Sequence, residues 1–250
     1  MPQTFAMPDI HLHPHYHNHP PHDHKEEHFR NSEFVTDVVI GMADGLTVPF
    51  ALAAGLSGAI DSSAIVLTAG IAEIVAGSIA MGLGGYLAGQ TEVEHYDSEL
   101  AREYDEVERV PEREKQEIRD ILGEYGLTET TQHTVVEELA LNKDRWVEFM
   151  MKFELGLEKP DKSRATKSAL TIGLSYVVGG FIPLIPYFIF DVASEGLKYS
   201  AVVTLICLLV FGWFKSKATG QEPFKGALKV AAIGTAAATA AYVVAKMLVH

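Results

Sequence analysis

Residues 64–110 read AIVLTAGIAEIVAGSIAMGLGGYLAGQTEVEHYDSELAREYDEVERV, and no proline interrupts them before Pro111. The first half is apolar apart from Glu73 and suffices to cross a ~30 Å hydrocarbon layer, which takes ~20 helical residues. The second half is rich in Glu and Asp but keeps the same freedom from breakers. One helix is therefore expected to leave the membrane and continue into water. Gly70, Gly77, Gly82, Gly84, Gly85 and Gly89 crowd the apolar half. In water so many glycines would destabilise a helix; in lipid they let helix backbones approach closely.

Outward from this stretch lie further apolar segments at 34–56, 168–190, 199–214 and 226–249, which with 64–89 make five spans. The segment at 199–214 is short for a full crossing and needs to extend back to Gly196 or forward past Lys215. Pro49, Pro183 and Pro186 fall within spans, where neighbouring helices can satisfy the backbone groups they free. The fold class is all-α: a polytopic membrane protein with five transmembrane helices and a cytosolic helical insert between spans two and three. Its parts are a tail (1–33), spans one and two (34–90), the insert (91–167) and spans three to five (168–250).

Lys25, Arg30, Lys159, Lys162, Arg164, Lys167, Lys215, Lys217, Lys225 and Lys229 flank one set of span ends, against Lys198 on the other. The positive-inside rule makes the first set cytosolic. The N-terminus and the insert then face the cytosol, and the C-terminus the far side. Lys246, near that end, can snorkel out.

Charge is segregated. Between Glu92 and Glu158 there are 20 acids and 8 bases, a net −12 out of the chain's −13. Such an acidic excess argues against nucleic acid as a partner and favours cations. The single cysteine, Cys207, lies in an apolar run, so no intramolecular disulfide forms. The tail holds eight of the eleven histidines among prolines and should be disordered. It offers weak metal ligands and no defined site.

The insert reads as a helical bundle: the projecting second span, a helix from Glu112 to Glu124 opened by Pro111, a third from Thr128 to Leu141, and a fourth in RWVEFMMKFELGL ending near Gly156. Leu122, Leu127, Val135, Val136, Leu139, Trp146, Phe149 and Phe153 are its expected core.

Asp44 stands out as a carboxylate about ten residues into the first span, ~15 Å deep at ~1.5 Å per residue. A charge there is costly unless it meets a cavity, a cation or a proton route. The structural alternative is a carboxylate bonded between helices. Glu73, Gly77, Met81, Gly85 and Gly89 recur every four residues and form one stripe on the second span. Met81 is expected near the level of Asp44, with Glu73 two turns nearer the far side. Carboxylate plus thioether suits a borderline ion such as Fe²⁺ and not Mg²⁺ or Ca²⁺; a packing role for Met81 is equally open.

In the insert, Glu103 and Glu106 sit at i,i+3, as do Glu114 and Glu117, and Met150 and Met151 precede Glu154 by one turn. Facing helices could join them into a site for more than one divalent ion, Fe²⁺, Mn²⁺, Zn²⁺ or Co²⁺. The alternative is a solvated acidic face, with Lys115 and Arg119 paired to neighbouring acids. Glu92 and His95 make one Glu-x-x-His step, but His133 lacks the second glutamate that a di-iron oxidase would need. No Walker A, Gly-x-Ser-x-Gly or His-Glu-x-x-His motif is present, which leaves no basis for an enzyme.

The run VVIGMADGLTVPFALAAGLSGA, the stripe in IAEIVAGSIAMGLGGYLAGQTEVEHY and the five-span plan closely resemble the vacuolar iron transporter family, plant branch, over 34–250. The resemblance implies a homodimer in the vacuole membrane, its pathway between protomers lined by the first span. It further implies exchange of cytosolic Fe²⁺, often Mn²⁺ too, for protons, with no permanent cofactor. Carried over by position, Asp44, Glu73 and Met81 belong to the membrane pathway, and Glu103, Glu106, Glu114, Glu117, Met150, Met151 and Glu154 to the cytosolic metal site. The competing reading is a non-transporting membrane-anchored receptor or metal store, which has no need of acids at depth.

Overall fold

The computed structural model describes residues 28–249, with side chains from 33 to 248. The histidine-rich stretch through Glu27 lies outside the described residues. In chain order the helices are α1 (His28–Ala59), α2 (Ser63–Arg109), α3 (Pro111–Glu124), α4 (Glu129–Ala140), α5 (Lys143–Phe149), α6 (Arg164–Leu184), α7 (Ala193–Ala218) and α8 (Pro223–Val249). A π-helical turn, Met150–Glu154, extends α5, and a 3₁₀ turn, Ile185–Phe188, extends α6.

Five of these, α1, α2, α6, α7 and α8, are long and apolar enough to cross a membrane. Their outward residues are apolar and uncovered, such as Ile79, Leu174 and Val202. Such faces suit hydrocarbon and not water. The short fourth segment reaches full length by extending at both ends, to Ala193 and Ala218. The carbonyl of Pro183 accepts a hydrogen bond from Ser200 Oγ at 2.7 Å, so α7 satisfies the backbone where α6 gives way to its 3₁₀ turn. On the side away from the insert, Ser62 bridges Val192, and Ser63 N donates to Asp191 O at 3.1 Å, tying the α1–α2 and α6–α7 loops together.

Helix α6 lies between α1 and α2 and is packed hard against both. A Cβ added at Gly45 of α1 would stand 2.9 Å from Tyr176 Cα, and one at Gly89 of α2 would stand 2.7 Å from Ala165 Cα. Gly70, Gly77 and Gly85 make room instead for the side chains of Leu184, Tyr176 and Ile172. The glycine stripe is thus the seam for α6, which the sequence could not name. Helix α8 packs on α1 through Phe50, Ala54 and Ala238, and on α7 through Leu208 and Ala231.

Beyond the membrane α2 runs on to Arg109, making a helix of 47 residues, about 70 Å at ~1.5 Å per residue. Its end folds with α3, α4 and α5 around Val107, Ile118, Val136, Trp146, Val147, Met150 and Met151. Two expectations need correction. Of the expected core, Phe153 is 48% exposed and Leu127 and Val135 lie outside this cluster, and the fourth helix of the insert is not uniformly α-helical but opens into the π turn. Ile118 and Val147 replace Phe153 because they point inward from the crossing helices. Helix α5 is capped by Asn142, whose side chain accepts from Arg145 N at 3.0 Å. Thr128 holds the N-cap position of α4 but bonds Thr131 instead of a backbone amide. Gly156, at φ +64°, ends the π turn.

Substitution at two glycines separates seam from lipid face. Gly45→Ala should lower the melting temperature of the detergent-solubilised protein, at a cost of about 1–3 kcal/mol for overpacking. A Cβ at Gly84 meets nothing within 4 Å, so Gly84→Ala should raise it slightly, by ~0.5–1 kcal/mol.

Candidate metal site and membrane pathway

The five glutamates singled out in the insert converge. Single oxygens of Glu103, Glu106 and Glu114 lie within 4.8 Å of one another, as do those of Glu114, Glu117 and Glu154. The i,i+3 pairs place two acids on one face of α2 and two on one face of α3, and the turn at Val110–Pro111 folds those faces together. The π turn supplies the fifth. Its wider winding re-aims the residues that follow it, and such turns recur at functional sites.

Glu103 and Glu114 are each 1% exposed, and Glu103 Oε2 and both oxygens of Glu114 have no hydrogen-bond partner. Orphaned buried carboxylate oxygens are costly, and a solvated acidic face does not contain them. The cost shows in their acidity. Burial, and then neighbouring carboxylates, push Glu103 and Glu114 up to about 7; burial followed by Glu117 raises Glu154. Arg102, 2.7 Å from Glu99 and 3.8 Å from Glu103, offsets part of this charge, and Arg113 pairs with Glu117 at 3.1 Å. Lys115 does pair with an acid, Glu137, at 3.1 Å, whereas Arg119 donates to Gln116. Met150 and Met151, 0% and 2% exposed, sit in the apolar core from which the π turn emerges. Exposed His95, 4.0 Å from Glu99, stands apart from these clusters.

Below the insert a cavity of about 910 Å³ lies between it and the span ends, lined in part by Glu33, Asp37, Glu92, His95, Tyr96 and Arg164. Asp37 is 4% exposed and accepts from Arg164 Nη1 at 2.6 Å, pinning α1 to α6 at the edge that faces the insert. The partner of a buried charge must be this close, since desolvation otherwise outweighs attraction. Sequence reading used Arg164 only for orientation; its partner 127 residues away was not visible there.

Within the membrane Asp44, Glu73 and Met81 are all half-buried. Helix α6 serves as a ruler: Gly45 lies opposite Tyr176, Gly173 opposite Ser78, and Gly180 opposite both Ile74 and Pro49. By these levels Asp44 falls between Glu73 and Met81, not level with Met81 alone. The Tyr176 hydroxyl donates to Glu73 Oε1, while Glu73 Oε2 is buried with no partner.

Comparison with known proteins follows the same outline. Residues 35–246 match the model of the VIT family. The chain is 53% identical to vacuolar iron transporter 1 of Oryza sativa subsp. japonica, covering 90% of this chain and 89% of that one. It is 52% identical to vacuolar iron transporter 1 of Arabidopsis thaliana over 91% of both, and 54% identical to that of Eucalyptus grandis over 89% and 90%. These relatives are named as transporters, not enzymes. With five span-length helices, an acidic helical insert and matches over nearly the whole described chain, the protein belongs to the VIT (vacuolar iron transporter) family.

Proposed function

We propose that this protein is a proton-coupled antiporter that moves Fe²⁺, and Mn²⁺ with it, from the cytosol into the vacuole, acting as a homodimer. The observation that carries the reading is the cluster of five glutamates, with orphaned oxygens, built on the extension of a helix that bears Glu73 and Met81 in the membrane. The names of the relatives support iron as cargo and the vacuole as destination. Transporters need no ATP site where a pH gradient can drive release, and a gradient acts directly on carboxylates.

In this mechanism the insert collects the cation on Glu103, Glu106, Glu114, Glu117 and Glu154, with Met150 and Met151 adding softness if their thioethers turn toward the cluster. The acid-lined cavity beneath receives the ion. Asp44 and Met81 take it within the membrane, where carboxylate and sulfur together suit Fe²⁺. Protons from an acidic lumen then compete for the carboxylates through Glu73 and drive release. The insert and N-terminus face the cytosol, as the flanking Lys and Arg require.

Uptake of Fe²⁺ into proteoliposomes should depend on an imposed pH gradient, and Asp44→Ala should abolish it. Uptake that ignores the gradient would overturn the coupling, and no uptake at all would return the protein to a membrane-anchored metal store. Calorimetry on the full-length protein should show Fe²⁺ binding weakened by roughly tenfold or more in Glu103→Gln plus Glu114→Gln.

The acidity of those two groups adds a pH dependence. Metal must displace their protons below about pH 7, so affinity should fall by about tenfold per proton and pH unit between pH 7 and 5.5. For the metal-free protein the sign is reversed. Groups raised from 4.5 to about 7 favour the folded state while protonated, and this stabilisation is lost as pH rises through 7. Melting of the metal-free protein should therefore fall from pH 5.5 to 8, and added Mn²⁺ should restore it at pH 8.

A further inference from the structure

Helix α6 carries no acid within the membrane, yet one of its residues meets the membrane carboxylates' helices on both sides, α1 by its backbone and α2 by its side chain. Tyr176 is 2% exposed. Its backbone lies against Gly45 of α1, next to Asp44, and its ring fills the space that Gly77 of α2 leaves by lacking a Cβ. A methyl group at Gly77 would overlap the ring and its hydroxyl. The hydroxyl donates to Glu73 Oε1, one turn before Gly77 in α2.

This arrangement uses one oxygen of Glu73 and spares the other. Held through Oε1 by Tyr176, the carboxylate keeps Oε2 buried and without a partner. An orphaned carboxylate oxygen in a low-dielectric setting has a cost that a passing cation removes. Ligating groups depend on such outer partners for orientation, and losing one commonly weakens cation affinity tenfold or more.

We propose that Tyr176 is the positioning residue of the membrane pathway: its hydroxyl fixes Glu73 so that a single oxygen is presented to a divalent cation. The inference rests on the reading of Glu73 as a pathway group. It goes beyond that reading by assigning to α6 a residue that sets how Glu73 meets its cargo.

Initial rates of Fe²⁺ uptake in proteoliposomes test it, with folding followed by size-exclusion elution. Tyr176→Phe keeps the ring and removes only the donor. Its KM for Fe²⁺ should rise about tenfold, with a smaller change in maximal rate. Glu73→Asp withdraws the carboxylate from the hydroxyl, so Tyr176→Phe should add nothing further in that background. A purely structural role would instead lower the maximal rate at constant KM, and its effect would add to that of Glu73→Asp. Either result overturns the proposal. Should Tyr176→Phe not fold, 4-aminophenylalanine and 4-methylphenylalanine at position 176 match each other in size and differ in the donor. The amino form should transport with the native KM and the methyl form should not; equal KM values overturn the proposal. Glu73→Gln separates the two layers. Native uptake by Glu73→Gln removes Glu73 from the pathway altogether, whereas impaired uptake there with a native KM in Tyr176→Phe sinks only the positioning role.

Discussion

Close backbone contact between α6 and its two neighbours is the interaction on which the membrane half depends. No hydrophobic drive holds apolar helices together in lipid, so association rests on close packing. Gly41 and Gly45 of α1, and Gly77, Gly85 and Gly89 of α2, bring α6 within reach of both helices. With α6 between them, Asp44 and Glu73 occupy fixed levels, and the ion pair of Asp37 with Arg164 locks the end nearest the insert. Carboxylates at this depth are tolerable only in such a defined setting, because a mobile one would find water or a neutralising proton.

The insert solves a different problem with the opposite means. In water, acids are cheap on a surface and costly in a core. Glu103 and Glu114 are placed in the costly position, buried on the two helices, α2 and α3, that also supply Val107 and Ile118 to the apolar cluster. The metal-free fold therefore holds a buried, self-repelling set of carboxylates that a divalent cation would relieve. Arg102 and Arg113 offset only part of the charge from the periphery. Helix α2 runs from the membrane to this site without a break, so Glu73 shares one helix with Glu103 and Glu106.

Much of this architecture was legible in the chain. Span count follows from hydropathy, because hydrocarbon demands ~20 apolar residues whatever the fold. The continuity of α2 follows from the lack of proline over residues 64–110. The paired spacings of Glu103 with Glu106 and Glu114 with Glu117 follow from helix geometry, as does their placement on single faces. Resemblance to the transporter family rested on contiguous motifs and needed no coordinates.

Contacts between distant segments were decided only in three dimensions. The glycine stripe announced a close neighbour but not that α6 would be that neighbour, since small residues specify approach and not partner. The π turn that delivers Glu154 leaves no mark in composition, for it depends on packing around Met150 and Met151. Phe153 reads as core by its character and stands exposed because that same turn rotates it outward. Tyr176 is one aromatic residue in an apolar span until Gly77, 99 positions earlier, gives its ring room and Glu73 takes its hydroxyl. Local propensity and periodicity act within a few residues of chain, and so sequence alone determined the elements and their chemistry. The pairings between those elements came from tertiary packing, which joins side chains that the chain keeps far apart.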